Sequence, residues 1–115
     1  GVDGLGGIGP DTAIASVEGA IDAESFNALA RAAGADSYAL AIPGTASWRD
    51  EWLSIFARRP CLIAFDPDDS GNKAAEEVRP KFRAVARRGE RGPMVSRVVP
   101  RGGVHDWNEA LKGAA

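Results

Sequence analysis

Residues 61–72 read CLIAFDPDDSGN. The apolar run at 61–65 ends on three aspartates within four positions, Asp66, Asp68 and Asp69, and Gly71 then opens a helical pattern. A short apolar run bounded in this way is a buried strand. Like charges at its mouth repel one another, and partial burial penalises each charged form. Two readings compete for the trio: carboxylates that cap the start of a helix, or carboxylates gathered to face a positive ligand.

Outward from this stretch the chain alternates between two periods. Residues 13–17 (AIASV) form a short apolar strand that ends at Glu18-Gly19. Phe26, Leu29, Ala30 and Ala33 follow the i, i+3, i+4, i+7 rule, which predicts an amphipathic helix over 22–34 closed by Gly34. A second strand is expected at 37–42, stopped by Pro43-Gly44. Trp48, Trp52, Ile55 and Phe56 share one stripe of a helix over 46–59. After the third strand, 61–65, a long helix over 71–88 turns Ala74, Ala75, Val78, Phe82, Val85 and Ala86 inward, and Pro80 is expected to kink or divide it. A fourth strand at 94–99 and a short helix at 106–113 close the chain.

Strand–helix alternation of this kind predicts an α/β fold with a mostly parallel four-stranded sheet and helices on both faces. In such sheets ligands gather beyond the carboxyl ends of the strands. Glu18, Gly44, Thr45, Asp66, Asp68 and Asp106 all follow strands and are expected on that one edge. A divalent cation reverses the electrostatic problem: Mg²⁺ takes hard oxygen ligands, keeps several waters and needs only a few carboxylates. The one-residue gap in Asp66-Pro67-Asp68 lets both side chains address one region, Pro67 stiffens the turn, and the helix beginning near Gly71 offers its N-terminus to anionic ligands. Asp22 and Asp69 are expected to cap or to stand in an outer shell.

Bulk composition narrows the classes further. At 115 residues the chain suits one small domain. No run of 18 apolar residues exists, which excludes a helical membrane span. A single cysteine, Cys61, excludes an internal disulfide and fits a reducing, cytoplasmic setting. One Cys with one His makes no zinc finger. The net charge of −2 hides an asymmetry, because eight of the 14 basic residues lie within 79–101, opposed there only by Glu90. Of these, Arg79, Lys81, Arg83, Arg87 and Arg88 are the candidates for contact with nucleic-acid phosphates. The chain lacks an initiator methionine and reads as a fragment of a larger protein, with a flexible lead-in at 1–12 before a domain at 13–115.

The ordered set VEGAIDAES (17–25), PGT (43–45), FDPDDSGNKAA (65–75) and DWNEAL (106–111) resembles the TOPRIM domain, the metal-binding module of topoisomerases, DnaG-type primases, OLD-type nucleases and RecR-like proteins. The likeness runs from about residue 13 to 112, and its details are most similar to primases and primase–helicases of phages and plasmids. It implies a compact Rossmann-like fold and metal-assisted nucleotidyl transfer, with Mg²⁺ or Mn²⁺ as cofactor. It implies Glu18 as acid/base or metal-linked glutamate, Asp66 and Asp68 as metal ligands, and Asp106 as a further ligand or outer-shell group. Asn108 stands where bacterial primases often have Asp and is expected in the outer shell; His105 stands where Lys is common. The implied partners are a single-stranded DNA template, nucleoside triphosphates and a helicase domain or protein, with no membrane. The implied role is RNA primer synthesis in replication, the alternative a TOPRIM nuclease or a non-catalytic nucleic-acid-binding or docking module.

Other signals read as structural. GLGGIG at 4–9 satisfies G-x-G-x-x-G, but no strand precedes it and Pro10 follows, unlike the dinucleotide fingerprint. Trp48, Trp52 and Phe56 sit at core spacing, Trp107 packs to position the closing motif, and Cys61 is an inert core thiol.

Overall fold

The computed structural model describes residues 9, 11–42, 49–101 and 103–114. Most of the expected lead-in, the GLGGIG run up to residue 8, the PGT turn at 43–45 and Trp48 lie outside them.

Four strands form one sheet, all parallel: β1 (Ala13–Val17), β2 (Ser37–Ala41), β3 (Cys61–Ile63) and β6 (Val95–Arg97), in the order β2-β1-β3-β6. β1 is central, in register with β2 from Ala13↔Ser37 to Val17↔Ala41 and with β3 from Ile14↔Cys61 to Ser16↔Ile63. Flanked on both edges, it has no side facing water, so Ile14, Ala15, Ser16 and Val17 are all buried. Its two neighbours lie on opposite sides, so the direction of strand order reverses between β1 and β3. The crevice beyond their carboxyl ends is where such sheets hold ligands.

The pleat sends alternate residues to two cores. Ile14, Cys61 and Ile63 face Phe56 of helix α2 (Leu53–Phe56) and Ala75, Val78 and Phe82 of helix α3 (Asp69–Val85). Ala15, Val17 and Ala39 face Phe26 and Ala30 of helix α1 (Ala20–Ala33), with Leu62 and Trp107 packed alongside. Trp107 begins helix α4 (Trp107–Ala114). The edge strand β2 is partly closed by α1, since the Asn27 carboxamide accepts from Ala39 N–H at 2.8 Å and donates to its carbonyl at 3.4 Å.

Three expectations are corrected. Pro80 neither divides nor ends α3, which is helical on both sides of it. Pro80 and Glu76 are exposed, so the carbonyl left without an amide partner faces water, where the loss is small. The helix expected over 46–59 is, where described, only a 3-10 turn (Asp50–Trp52) and the single turn of α2. Arg58 ends it in the left-handed region (φ 61°), its N–H donating to the Val85 carbonyl at 2.7 Å, and Pro60 disfavours helix at the residue before it. The third change is an unforeseen two-stranded antiparallel ribbon, β4 (Arg88–Gly89) and β5 (Gly92–Pro93), turned through Glu90-Arg91 with Gly92 at φ 108°. Among the described residues no helix is long and apolar enough to cross a membrane.

Candidate metal centre

β1 and β3 end side by side, so Glu18 and Asp66 are brought to one crevice although 48 residues separate them. The Asp66 N–H donates to Glu18 Oε1 at 3.3 Å. Asp68 begins α3 as its N-cap: extended itself, it accepts the Gly71 N–H on Oδ1 at 2.6 Å. This corrects the expected division of labour, because Asp68 caps the helix while Asp69 is its first, exposed residue. The capping bond occupies one carboxylate oxygen of Asp68 and leaves the other available.

Gly71 fixes the spacing of the site. A Cβ there would run into the Asp66 carbonyl and stand 3.0 Å from Glu18 Oε1. Only glycine lets the first turn of α3 lie directly on the Asp66 backbone. The loop is braced from below by Arg97 at the end of β6, whose Nη2 donates to the carbonyls of Phe65 at 3.1 Å and Asp66 at 2.9 Å. Arg97 was legible only as one of a run of cations; its place beside β3 follows from the parallel pairing Ile63↔Arg97.

The electrostatics of the crevice are those of crowded acids. Burial, followed by the charges of Asp22, Glu18, Asp106 and Asp68, pushes the Asp66 carboxyl up to about 6. Glu18 is also raised, first by burial and then by Asp68 and Asp22, against the Asp66 amide and the Arg97 guanidinium, which lower it. Asp22 is raised by burial and by Asp106, while the backbone amides of Trp107 and Asn108 lower it.

The closing motif is largely a helix start. Asp106 Oδ1 accepts the Glu109 N–H at 2.7 Å, and Glu109 Oε2 reaches back to the His105 N–H at 3.1 Å, a variant of the capping box that the spacing D-x-x-E announces. Asn108 accepts from Ser25 Oγ at 3.4 Å and so ties α4 to α1. Trp107 positions the motif as expected: its indole donates to the Ala64 carbonyl at 2.7 Å and meets the Phe26 ring edge-on at 4.8 Å.

Of the five basic candidates, Arg83 and Arg88 stand away from these acids. Asp69 opens α3 at the acidic edge, and Arg83 lies in the last turn of the same 17-residue helix, so the two ends are about 25 Å apart. Arg79 lies 3.8 Å from Glu76, and Arg87 pairs with Asp11 at 2.8 Å.

The donor set fits a hard divalent cation in part. The oxygens are carboxylate, they carry uncompensated charge, and they sit at a helix N-terminus. Among the described residues no group of three or more His, Cys, Asp or Glu is gathered closely enough to hold one ion. A cation that keeps most of its waters needs only one or two direct carboxylate contacts; of Glu18, Asp66 and Asp68, those not in direct contact would hold it through its waters.

No curated protein and no solved structure gives a significant match to the chain. A family model described as Toprim-like matches residues 16–111, which takes in both the Glu18 and the Asp66 strand ends and the closing helix. The chain therefore belongs to the Toprim-like family, whose domains bind divalent metal ions and serve activities on nucleic acid.

Proposed function

We propose that Glu18, Asp66 and Asp68 hold Mg²⁺ or Mn²⁺ and that the chain is the catalytic core of a primase, joining nucleotides on a single-stranded DNA template. The observation that carries the metal reading is Asp66: half-buried and facing the charges of four other carboxylates at the strand-order reversal, its carboxyl is raised to about 6, and a cation is the ligand that relieves it. The bound metal would supply charge neutralisation at the phosphates in the transition state. Asp66 and Asp68 hold it from a loop fixed by Gly71 and Arg97. Glu18, its carboxyl raised by burial and by the charges of Asp68 and Asp22, would be the group that exchanges a proton with a nucleophilic hydroxyl. Asp22, Asp69, Asp106 and Asn108 shape the rim.

Calorimetry with Mn²⁺ tests the site: the chain binds, and Asp66→Ala/Asp68→Ala does not. Unchanged binding in that double variant sinks the assignment. Primer synthesis from a DNA template and nucleoside triphosphates tests the reaction, using the parent protein with any helicase or zinc-binding domain it carries. A second reading, a nuclease or a non-catalytic nucleic-acid-binding module, is favoured by one observation: Arg83 and Arg88, expected to hold a template, lie at the far end of α3 from the acids. Metal-dependent cleavage of labelled DNA or RNA without primer synthesis selects the nuclease, and binding with neither activity selects the docking module.

A further inference from the structure

The far end of α3 gathers arginines from three segments. Arg83 lies in the last turn of that helix, Arg88 and Arg91 lie on the β4–β5 ribbon that follows, and Arg58 and Arg59 are brought in from the turn before β3. Backbone and side-chain bonds weld these segments together: Arg87 N–H donates to the Arg59 carbonyl at 2.9 Å, and Arg87 Nε to the Arg58 carbonyl at 3.2 Å. Arg59 turns inward, giving Nη1 to the carbonyls of Gly9 at 2.6 Å and Thr12 at 3.2 Å, and Arg87 pairs with Asp11. Arg58, Arg83, Arg88 and Arg91 remain exposed. The acids of this pole among the described residues are Asp11, already paired, and Glu90.

A helix C-terminus attracts cations in any protein, which accounts for Arg83. It does not account for Arg58. That residue is the one non-glycine at positive φ among the described residues, in a conformation that glycine adopts without strain. An arginine held there keeps a guanidinium on the surface at the expense of backbone comfort.

We propose that this pole, through Arg58, Arg83, Arg88 and Arg91, binds the phosphate backbone of a nucleic acid without a metal ion, at a place distinct from the acidic edge. The identity of the polyanion rests on the nucleic-acid reading above; the separation of the two sites does not. Phosphates on one strand repeat about every 3.4 Å, so a duplex must run about seven base pairs along α3 to touch both ends. Holding and chemistry are then divided between the poles.

The test uses the 115-residue chain, a 16-base-pair fluorescent duplex and a metal chelator. The wild type binds, with affinity falling steeply in salt. Arg58→Gly/Arg88→Ser weakens binding about tenfold and reduces the salt slope by about two. Its melting temperature is equal to or above that of wild type, because glycine suits residue 58, so unfolding does not explain the loss. Asp66→Asn/Asp68→Asn keeps full metal-free binding. Unchanged affinity and slope in the arginine variant overturn the proposal, as does equal loss in the aspartate variant. Salt-sensitive self-association without duplex binding also overturns it, because the pole would then meet the acidic edge of a second copy. Failure of the metal reading shows separately, as unchanged Mn²⁺ calorimetry in Asp66→Ala/Asp68→Ala.

Discussion

Two helices of this chain start alike and end up with different chemistry. α3 begins D-D-S-G from Asp68, and α4 begins D-W-N-E from Asp106; each is capped by the aspartate, through Gly71 N–H in one and Glu109 N–H in the other. At α4 the neighbouring acids are also engaged, Glu109 by the His105 amide and Asp22 by the amides of Trp107 and Asn108. At α3 the cap uses one oxygen of Asp68, and the charges that bear on the Asp66 carboxyl are those of other acids. A helix start that satisfies its carboxylates is a joint. One that leaves a carboxylate over, in a crevice, is a place for a cation.

The contrast can be broken most forcefully at Gly71. Gly71→Ala drives a methyl into the Asp66 carbonyl, and urea unfolding should show a loss of about 2–3 kcal/mol. The corresponding position of α4, Glu109, tolerates Ala at far smaller loss. Aspartates at the two starts should then differ in sign. Asp106→Ala removes a cap and lowers stability by about 1 kcal/mol. Asp66→Asn removes a strained charge and raises the stability of the metal-free chain at pH 8 by about 1 kcal/mol, allowing for solvent screening. A fall with both sinks the distinction.

A pH titration sharpens the same point. Asp66 ionises near 6 in the folded chain and near its ordinary 3.8 when unfolded. The unfolded state therefore sheds the proton first as pH rises. Its contribution to stability is full below about 3.8 and is lost as pH climbs through about 6. Denaturation of metal-free wild type followed from pH 4 to 7 should show that loss, Asp66→Asn should lack it, and saturating Mn²⁺ should reverse it. The smallest effect is expected at Cys61, whose thiol burial pushes up to about 11: alkylation at pH 8 should be negligible until the chain unfolds.

Much of the frame was legible because it rests on periodicity. The strand at 13–17 and the amphipathic helix stopped by Gly34 emerge as the spacing predicts. That Glu18 and the Asp66 loop share one edge followed from the rule that parallel strands end on the same side. What escaped depended on contacts between distant segments. Pro80 is harmless because its side of α3 is wet, which composition does not reveal. The Asp106 cap was hidden by reading DWNE as a family signature, though its spacing is also that of a capping box. The cations of 79–101 are read from charge imbalance, which carries no position: the helix takes Arg83 to the end away from Asp69, while Arg97 returns to the Asp66 loop. Arg58 and Arg59 joined them only through turns that no local pattern marks.

The position of β1 in the sheet has a consequence in time. β1 is made before the other three strands of this sheet, and it needs neighbours on both edges. β2 arrives about two dozen residues later, but β3 only after Cys61, and the brace at Arg97 later still. A nascent chain thus carries an open, apolar central edge through much of its synthesis, and Glu18 waits without a crevice. The Glu18 and Asp66 charges cannot meet before β3 is made, and the Arg97 brace follows only with β6.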